Sequence, residues 1–131
     1  MKDLTTQLLD KAGRAIETAE RLLQSQDVDV AVARAYYAMF YIAEALLAER
    51  DLRFRKHAGI HSAFGEHFAK PGVLDPKFHR WLLAAFEKRI TADYGVEEAI
   101  EVDEARTMIQ QAREFLQEAR RYLVSSTRKQ G

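Results

Sequence analysis

Residues 103–124 read DEARTMIQQAREFLQEARRYLV, and their spacing decides the fold class. Ala105, Met108, Ala112, Phe115, Ala119 and Tyr122 recur three or four apart, with Ile109, Leu116 and Leu123 alongside. That period belongs to a helix with one apolar stripe, which is stable only when another element covers the stripe. Upstream the same pattern returns. Leu4, Leu8, Ala12, Ala15, Ala19 and Leu22 predict a helix over residues 3–25. A second helix is predicted from Asp29 to Arg50, a connection over Asp51–Lys56, and a third helix from His57 to Ala69. Pro71-Gly72 is a break. Asp75 caps a fourth helix with Pro76 in its first turn, Gly95 stops it after Tyr94, and Asp103 caps the fifth. With only two prolines and six glycines in 131 residues, punctuation is sparse and helices are long. The expected fold is all-α, an up-and-down bundle of four to five helices joined by short connections. Residues 1–124 form the single domain and residues 125–131, polar throughout, a flexible tail.

Composition narrows the function classes. Apolar residues make up 47% and charged residues 31%, an ordinary globular balance. Twenty basic and twenty acidic side chains cancel, so any nucleic-acid binding must come from a local patch. The absence of cysteine removes disulfides, thiolate metal sites and cysteine nucleophiles. The N-terminus has no long apolar run behind it, which argues against a signal peptide or membrane span and for a cytoplasmic protein. Glycine-rich phosphate loops, serine-nucleophile motifs and dinucleotide fingerprints are missing too, and no cofactor is expected.

Two helices break their own pattern. On the second, Ala31, Ala35, Met39, Ile42, Ala43 and Leu46 form the aliphatic arc. The opposite stripe carries Arg34, Tyr37, Tyr41 and Glu44, which are the residue types of a contact surface. A second packing face is the competing reading, and both hold if that face meets another subunit. On the fourth helix, Phe78, Trp81, Leu82, Ala85 and Phe86 form the apolar arc, and Arg89 and Asp93 fall inside it. Burying an ion pair costs several kcal/mol per ion unless partners compensate, so the pair is either a structural clamp or a cationic site with Asp93 orienting Arg89. Tyr94 follows at the helix end.

The histidines carry less. His57 and His61 have the i, i+4 spacing of a helical metal pair but lack a third ligand and any His-Glu-x-x-His motif, so no metal site is assigned. His67 and His79 read as surface residues. Lys56-His57 opens the third helix beside Ala58-Gly59, where a small residue allows close approach and the backbone amides can meet an anion.

Three segments taken together resemble a known family. They are Ala33-Arg34-Ala35-Tyr36-Tyr37-Ala38-Met39-Phe40, then Lys56-His57-Ala58-Gly59, then Arg89-Ile90-Thr91-Ala92-Asp93-Tyr94. In this order they resemble the small prokaryotic HEPN (higher eukaryotes and prokaryotes nucleotide-binding) domains, over residues 5–124. The resemblance implies a helical bundle forming a two-fold homodimer, often paired with a minimal nucleotidyltransferase as toxin and antitoxin. It also implies metal-independent ribonuclease chemistry through an Arg-x(4–6)-His motif at the dimer cleft. Arg89 matches the arginine. The residue five further on is Tyr94, and no histidine follows His79. Histidine titrates near neutrality, whereas tyrosine titrates near pH 10, so Tyr94 suits hydrogen bonding to phosphate better than proton transfer. In some HEPN toxins a tyrosine near this motif accepts a nucleotide from the partner enzyme. The expected function is RNA or nucleotide binding with Arg89, Asp93 and Tyr94 as the catalytic group and Arg34, Tyr37, Tyr41, Lys56 and His57 as ligand contacts. The alternative is a non-catalytic dimeric interaction module in which Arg89–Asp93 is structural.

Overall fold

The computed structural model describes residues 1–95 and 99–130, with side chains up to Ser126. Five α-helices make up the described fold: α1 (Asp3–Gln24), α2 (Val28–Glu49), α3 (His57–Phe64), α4 (Lys77–Tyr94) and α5 (Val102–Gln130). The predicted third helix does run to Ala69, but its last five residues, Gly65–Ala69, form a π-turn. There the Lys70 amide donates to the Gly65 carbonyl at 2.8 Å, one residue further than an α-helix allows. Residues 125–130, expected as a tail, continue α5, and Gly131 lies outside the described residues.

Side-chain pairs give the directions of the helices. Lys2 and Thr5, at the start of α1, both donate to Glu49 at the end of α2. Glu20 pairs with Arg113, and Asp10 approaches Arg120 to 3.9 Å, so α1 is antiparallel to α5. Lys77–Glu114 and Lys88–Glu104 make α4 antiparallel to α5 as well. The result is the up-down-up-down arrangement predicted for short connections. α2 is the central helix, packed against α1, α3, α4 and α5. By length and composition alone it is apolar enough to cross a membrane, yet 67% of its apolar window is buried in the bundle.

The α5 stripe is buried as predicted, with Ala105, Met108, Ile109, Ala112, Phe115, Ala119 and Leu123 in the core and Tyr122 at its edge. On α1 the predicted Ala12, Ala15 and Ala19 are buried, but Thr5, Leu9 and Ile16 complete the buried line, leaving Leu4, Leu8 and Leu22 half-buried. Thr5 tolerates full burial because its hydroxyl donates to Glu49 Oε1 at 2.8 Å.

The helix ends explain the connections. α1 and α2 each stop in a Schellman motif whose left-handed residue is not glycine: Gln26 at φ 64° and Asp51 at φ 61°. The Asp27 amide reaches Leu22 O, and the Leu52 amide reaches Leu47 O, both at 2.9 Å. Asp75 Oδ1 accepts the Lys77 amide at 2.9 Å, the capping role predicted for it. Gly95 ends α4 in an extended conformation; a Cβ there would lie 2.6 Å from the Thr91 carbonyl oxygen. Asp103 lies in the first turn of α5, where it pairs with Arg106 at 2.6 Å, and it is Glu101 O that accepts the first helical amides.

Candidate functional site

Because α2 and α4 are antiparallel, the N-terminal half of α2 faces the C-terminal half of α4. Arg34, Tyr37 and Tyr41 occupy successive turns of α2 and are all half-buried. The Tyr37 and Tyr41 rings stack with centroids 6.1 Å apart and planes 28° from parallel. Two guanidiniums bear on Tyr37: Arg34 lies 4.9 Å and Arg89 5.2 Å from the ring centroid. The Lys11 ammonium, from α1, sits 4.6 Å over Tyr41. Each contact gains from the negative face of the ring. Three cations thus border a two-ring platform.

Arg89 lies inside the α4 arc as its position on the helix predicts, with its side chain 22% exposed. Its Nε is 3.0 Å from Asp93 Oδ2, within ion-pair distance, but the N–H is not aimed at the carboxylate. That buried N–H has no hydrogen-bond acceptor among the described residues. Asp93, 35% exposed, therefore compensates the charge without satisfying the donor. Glu44, one turn beyond Tyr41, is the other acid of the stripe. Burial pushes its carboxyl above the usual range, against the pull of Lys11 and Arg53.

Behind the platform lies a polar cluster that the sequence reading did not assemble. Tyr36 is fully buried, and its hydroxyl lies 2.8 Å from His61 Nε2 and 3.3 Å from His57 Nδ1. The aromatic walls are Phe40, 4.2 Å from His57 between centroids, and Phe86, 5.0 Å from His61. Burial drives the Tyr36 hydroxyl far up, so it stays protonated, although Arg89 nearby opposes the shift. His61 is pushed down to about 4, first by burial and then by His57 and His79. His57 is also lowered, by burial and by the Arg89 charge. Both imidazoles are neutral at pH 7.

The site thus gathers Arg34, Tyr37, Tyr41, His57, Arg89 and Asp93. Two expected members stand apart from this cluster in the single chain. Tyr94 is 76% exposed and makes no hydrogen-bond or ring contact among the described residues. Lys56 is exposed and serves as the N-cap residue of α3. His79 is not the surface histidine expected: it is half-buried and its Nε2 donates to the His61 carbonyl at 3.1 Å. Gly65 makes room for that ring, since a Cβ there would lie 2.7 Å from it. His67, expected at the surface, is half-buried too, and its carbonyl accepts from Arg50 at 3.3 Å. The i, i+4 spacing of His57 and His61 is a real constellation, but its focus is the Tyr36 hydroxyl. Gly59 allows the close approach predicted, with the Phe54 side chain packed over it.

A family model described as the HEPN domain matches residues 5–122. A protein of Methanocaldococcus jannaschii whose name carries the words "putative toxin" is 35% identical over 102 residues, 78% of this chain and 69% of that one. A UPF0332 protein of Gloeobacter violaceus is 42% identical over 88 residues, 67% of this chain and 70% of its own. Another UPF0332 protein, from Thermotoga maritima, is 37% identical over 94 residues, 72% and 70% of the two chains.

Proposed function

The chain belongs to the HEPN domain family, and we propose that it is a toxin-like member that binds RNA in the Arg89 cleft and cleaves it as a metal-independent endoribonuclease. In this reading the protein acts in the cytoplasm as a homodimer whose two-fold axis brings two such clefts together. A minimal nucleotidyltransferase is its antitoxin partner. The toxin-like part draws on the names of the Methanocaldococcus relatives.

The observation that carries the reading is the pair of guanidiniums on the Tyr37 ring. Arg34 and Arg89 both bear on the Tyr37 ring, and the buried Arg89 Nε–H lacks an acceptor among the described residues. The Arg89 side chain is 22% exposed, and its guanidinium suits a phosphate geometrically. Stacked tyrosines offer the apolar face on which unpaired bases rest. Cations around a stacking platform are the usual means of holding a single strand. Arg53, Arg55 and Lys56, in the connection entering α3, add positive charge next to His57.

Induced expression in a bacterial host tests the toxin reading. The wild-type chain arrests growth, and Arg89→Ala, produced at the same level and still helical, does not. Arrest by the folded variant counts against it. A second reading, a non-catalytic dimeric module, is favoured by the 3.0 Å approach of Arg89 to Asp93 across one helical turn. Under that reading Arg89→Ala lowers the melting temperature sharply and there is no RNA-dependent phenotype to lose.

A further inference from the structure

We infer that His57 is the residue that takes the proton in RNA cleavage at this site, with Tyr36 and His61 as the positioning residues that fix which ring nitrogen is free. The inference rests on the ribonuclease reading above. No histidine stands among the five residues after Arg89, which are Ile90, Thr91, Ala92, Asp93 and Tyr94. An imidazole comes instead from α3. His57 is half-buried at the edge of the platform, with its ring edge-on to Tyr37 at 6.0 Å between centroids. Arg89 bears on the same Tyr37 ring from α4.

The single phenol proton of Tyr36 can go to only one of the two imidazoles, so the other donates to it. In the proposed arrangement Tyr36 donates across the shorter contact, 2.8 Å to His61 Nε2. The 3.3 Å contact to His57 Nδ1 is then the weaker bond, in which Nδ1–H donates to the phenol oxygen. His61 carries its own proton on Nδ1. With its Nδ1 turned to the buried phenol, His57 presents an unprotonated Nε2 on the opposite side of the ring. This is the arrangement by which a second group sets the working nitrogen of a catalytic histidine.

Cleavage then proceeds within the substrate. The ribose 2′-oxygen bonds to phosphorus while its proton passes to His57 Nε2. The bond from phosphorus to the 5′-oxygen breaks, and His57 returns the proton to that oxygen. The products are a 2′,3′-cyclic phosphate and a 5′-hydroxyl end, with no co-reactant. Arg89 and Arg34 face the phosphate charge that builds up. Tyr36, Tyr37, His61 and Arg89 are the titratable and charged groups facing His57, and the cationic Arg89 together with burial keeps His57 neutral at pH 7.

The test compares wild type, His57→Gln, Tyr36→Phe and Arg89→Ala on a fluorescent single-stranded RNA and on DNA of the same sequence. At saturating RNA we expect His57→Gln to cleave bound RNA about a hundredfold or more slowly than wild type, the usual range for losing a general base. DNA, lacking the 2′-hydroxyl, is bound and left intact. Imidazole nitrogen NMR on the unliganded protein gives a readout independent of activity. It shows His57 protonated on Nδ1 in the wild type and a mixture of tautomers in Tyr36→Phe. Cleavage by His57→Gln at the wild-type rate, with Arg89→Ala inactive, overturns the role of His57 and leaves the ribonuclease reading intact. Wild-type protein that binds RNA without cutting it overturns the inference but not the binding site. Wild-type protein that neither binds nor cuts overturns both.

Discussion

At the residue scale, the sequence made the charged members of the site and the half-buried Tyr37, Tyr41 and His57 visible, and hid the buried Tyr36 behind them. Arg89 stood out because a charge in an apolar arc is costly, and it does lie inside the arc. Tyr36 did not stand out, because a tyrosine between Ala35 and Tyr37 on an apolar helix reads as core. Only tertiary packing sets its hydroxyl between two histidines of α3. Tyr94 is a candidate by motif position alone, and the end of α4 leaves it 76% exposed in the single chain. His61 yields a pH prediction. Its imidazole falls from an ordinary value near 6.5 to about 4 in the fold, so the unfolded chain binds the proton first. Its contribution to stability is complete above pH 6.5 and is lost as the pH falls toward 4, by about 3 kcal/mol in all. Urea unfolding of wild type and His61→Gln across that range checks this. The wild type loses more stability than the variant as acid is added; parallel curves would mean that His61 is not held neutral by burial.

At the scale of elements, helix existence and type were readable from period alone, and the ends expected for α1 and α2 lie within one residue of those observed although no proline, glycine or capping acid marks where they stop. Asp75-Pro76 and Gly95 behaved as read, although Gly95 is required by its approach to the Thr91 carbonyl rather than by a left-handed backbone. The ends of α1 and α2 had no such mark, because Gln26 and Asp51 adopt the left-handed conformation themselves. For that reason Gln26→Gly is expected to stabilise the protein by about 0.5–1 kcal/mol, seen as a higher melting temperature. A decrease would mean that the Gln26 side chain makes a contact worth more than its backbone strain. The π-turn is the other unread feature. Gly65→Ala places a methyl group against His79, so the His79–His61 bond must give way, at a cost of about 1–3 kcal/mol. Denaturant unfolding measures that cost, and an unchanged midpoint would show that the ring moves aside freely.

For the whole molecule, the up-and-down order followed from short connections, and the central place of α2 from a helix apolar on nearly every side. The exception on α2, the stripe Arg34, Tyr37, Tyr41 and Glu44, became the platform of the site. The homodimer proposal requires a second half of the cleft that a single chain does not contain. Leu83, Ile90 and Tyr94 are exposed along one line of α4 next to Arg89. Under the homodimer proposal, sedimentation equilibrium gives twice the chain mass for wild type and the single-chain mass for Ile90→Glu. A monomeric wild type counts against a shared cleft. The account stands or falls on whether Arg89 and its aromatic platform hold RNA. The direct measurement is fluorescence anisotropy of a labelled single-stranded RNA titrated with wild type and with Arg89→Ala at several salt concentrations, the melting temperature of each being taken alongside. The account predicts binding by wild type that is about tenfold or more weaker in the folded variant, with a salt slope smaller by about one. Equal affinity and equal salt slope for the two folded proteins would contradict it.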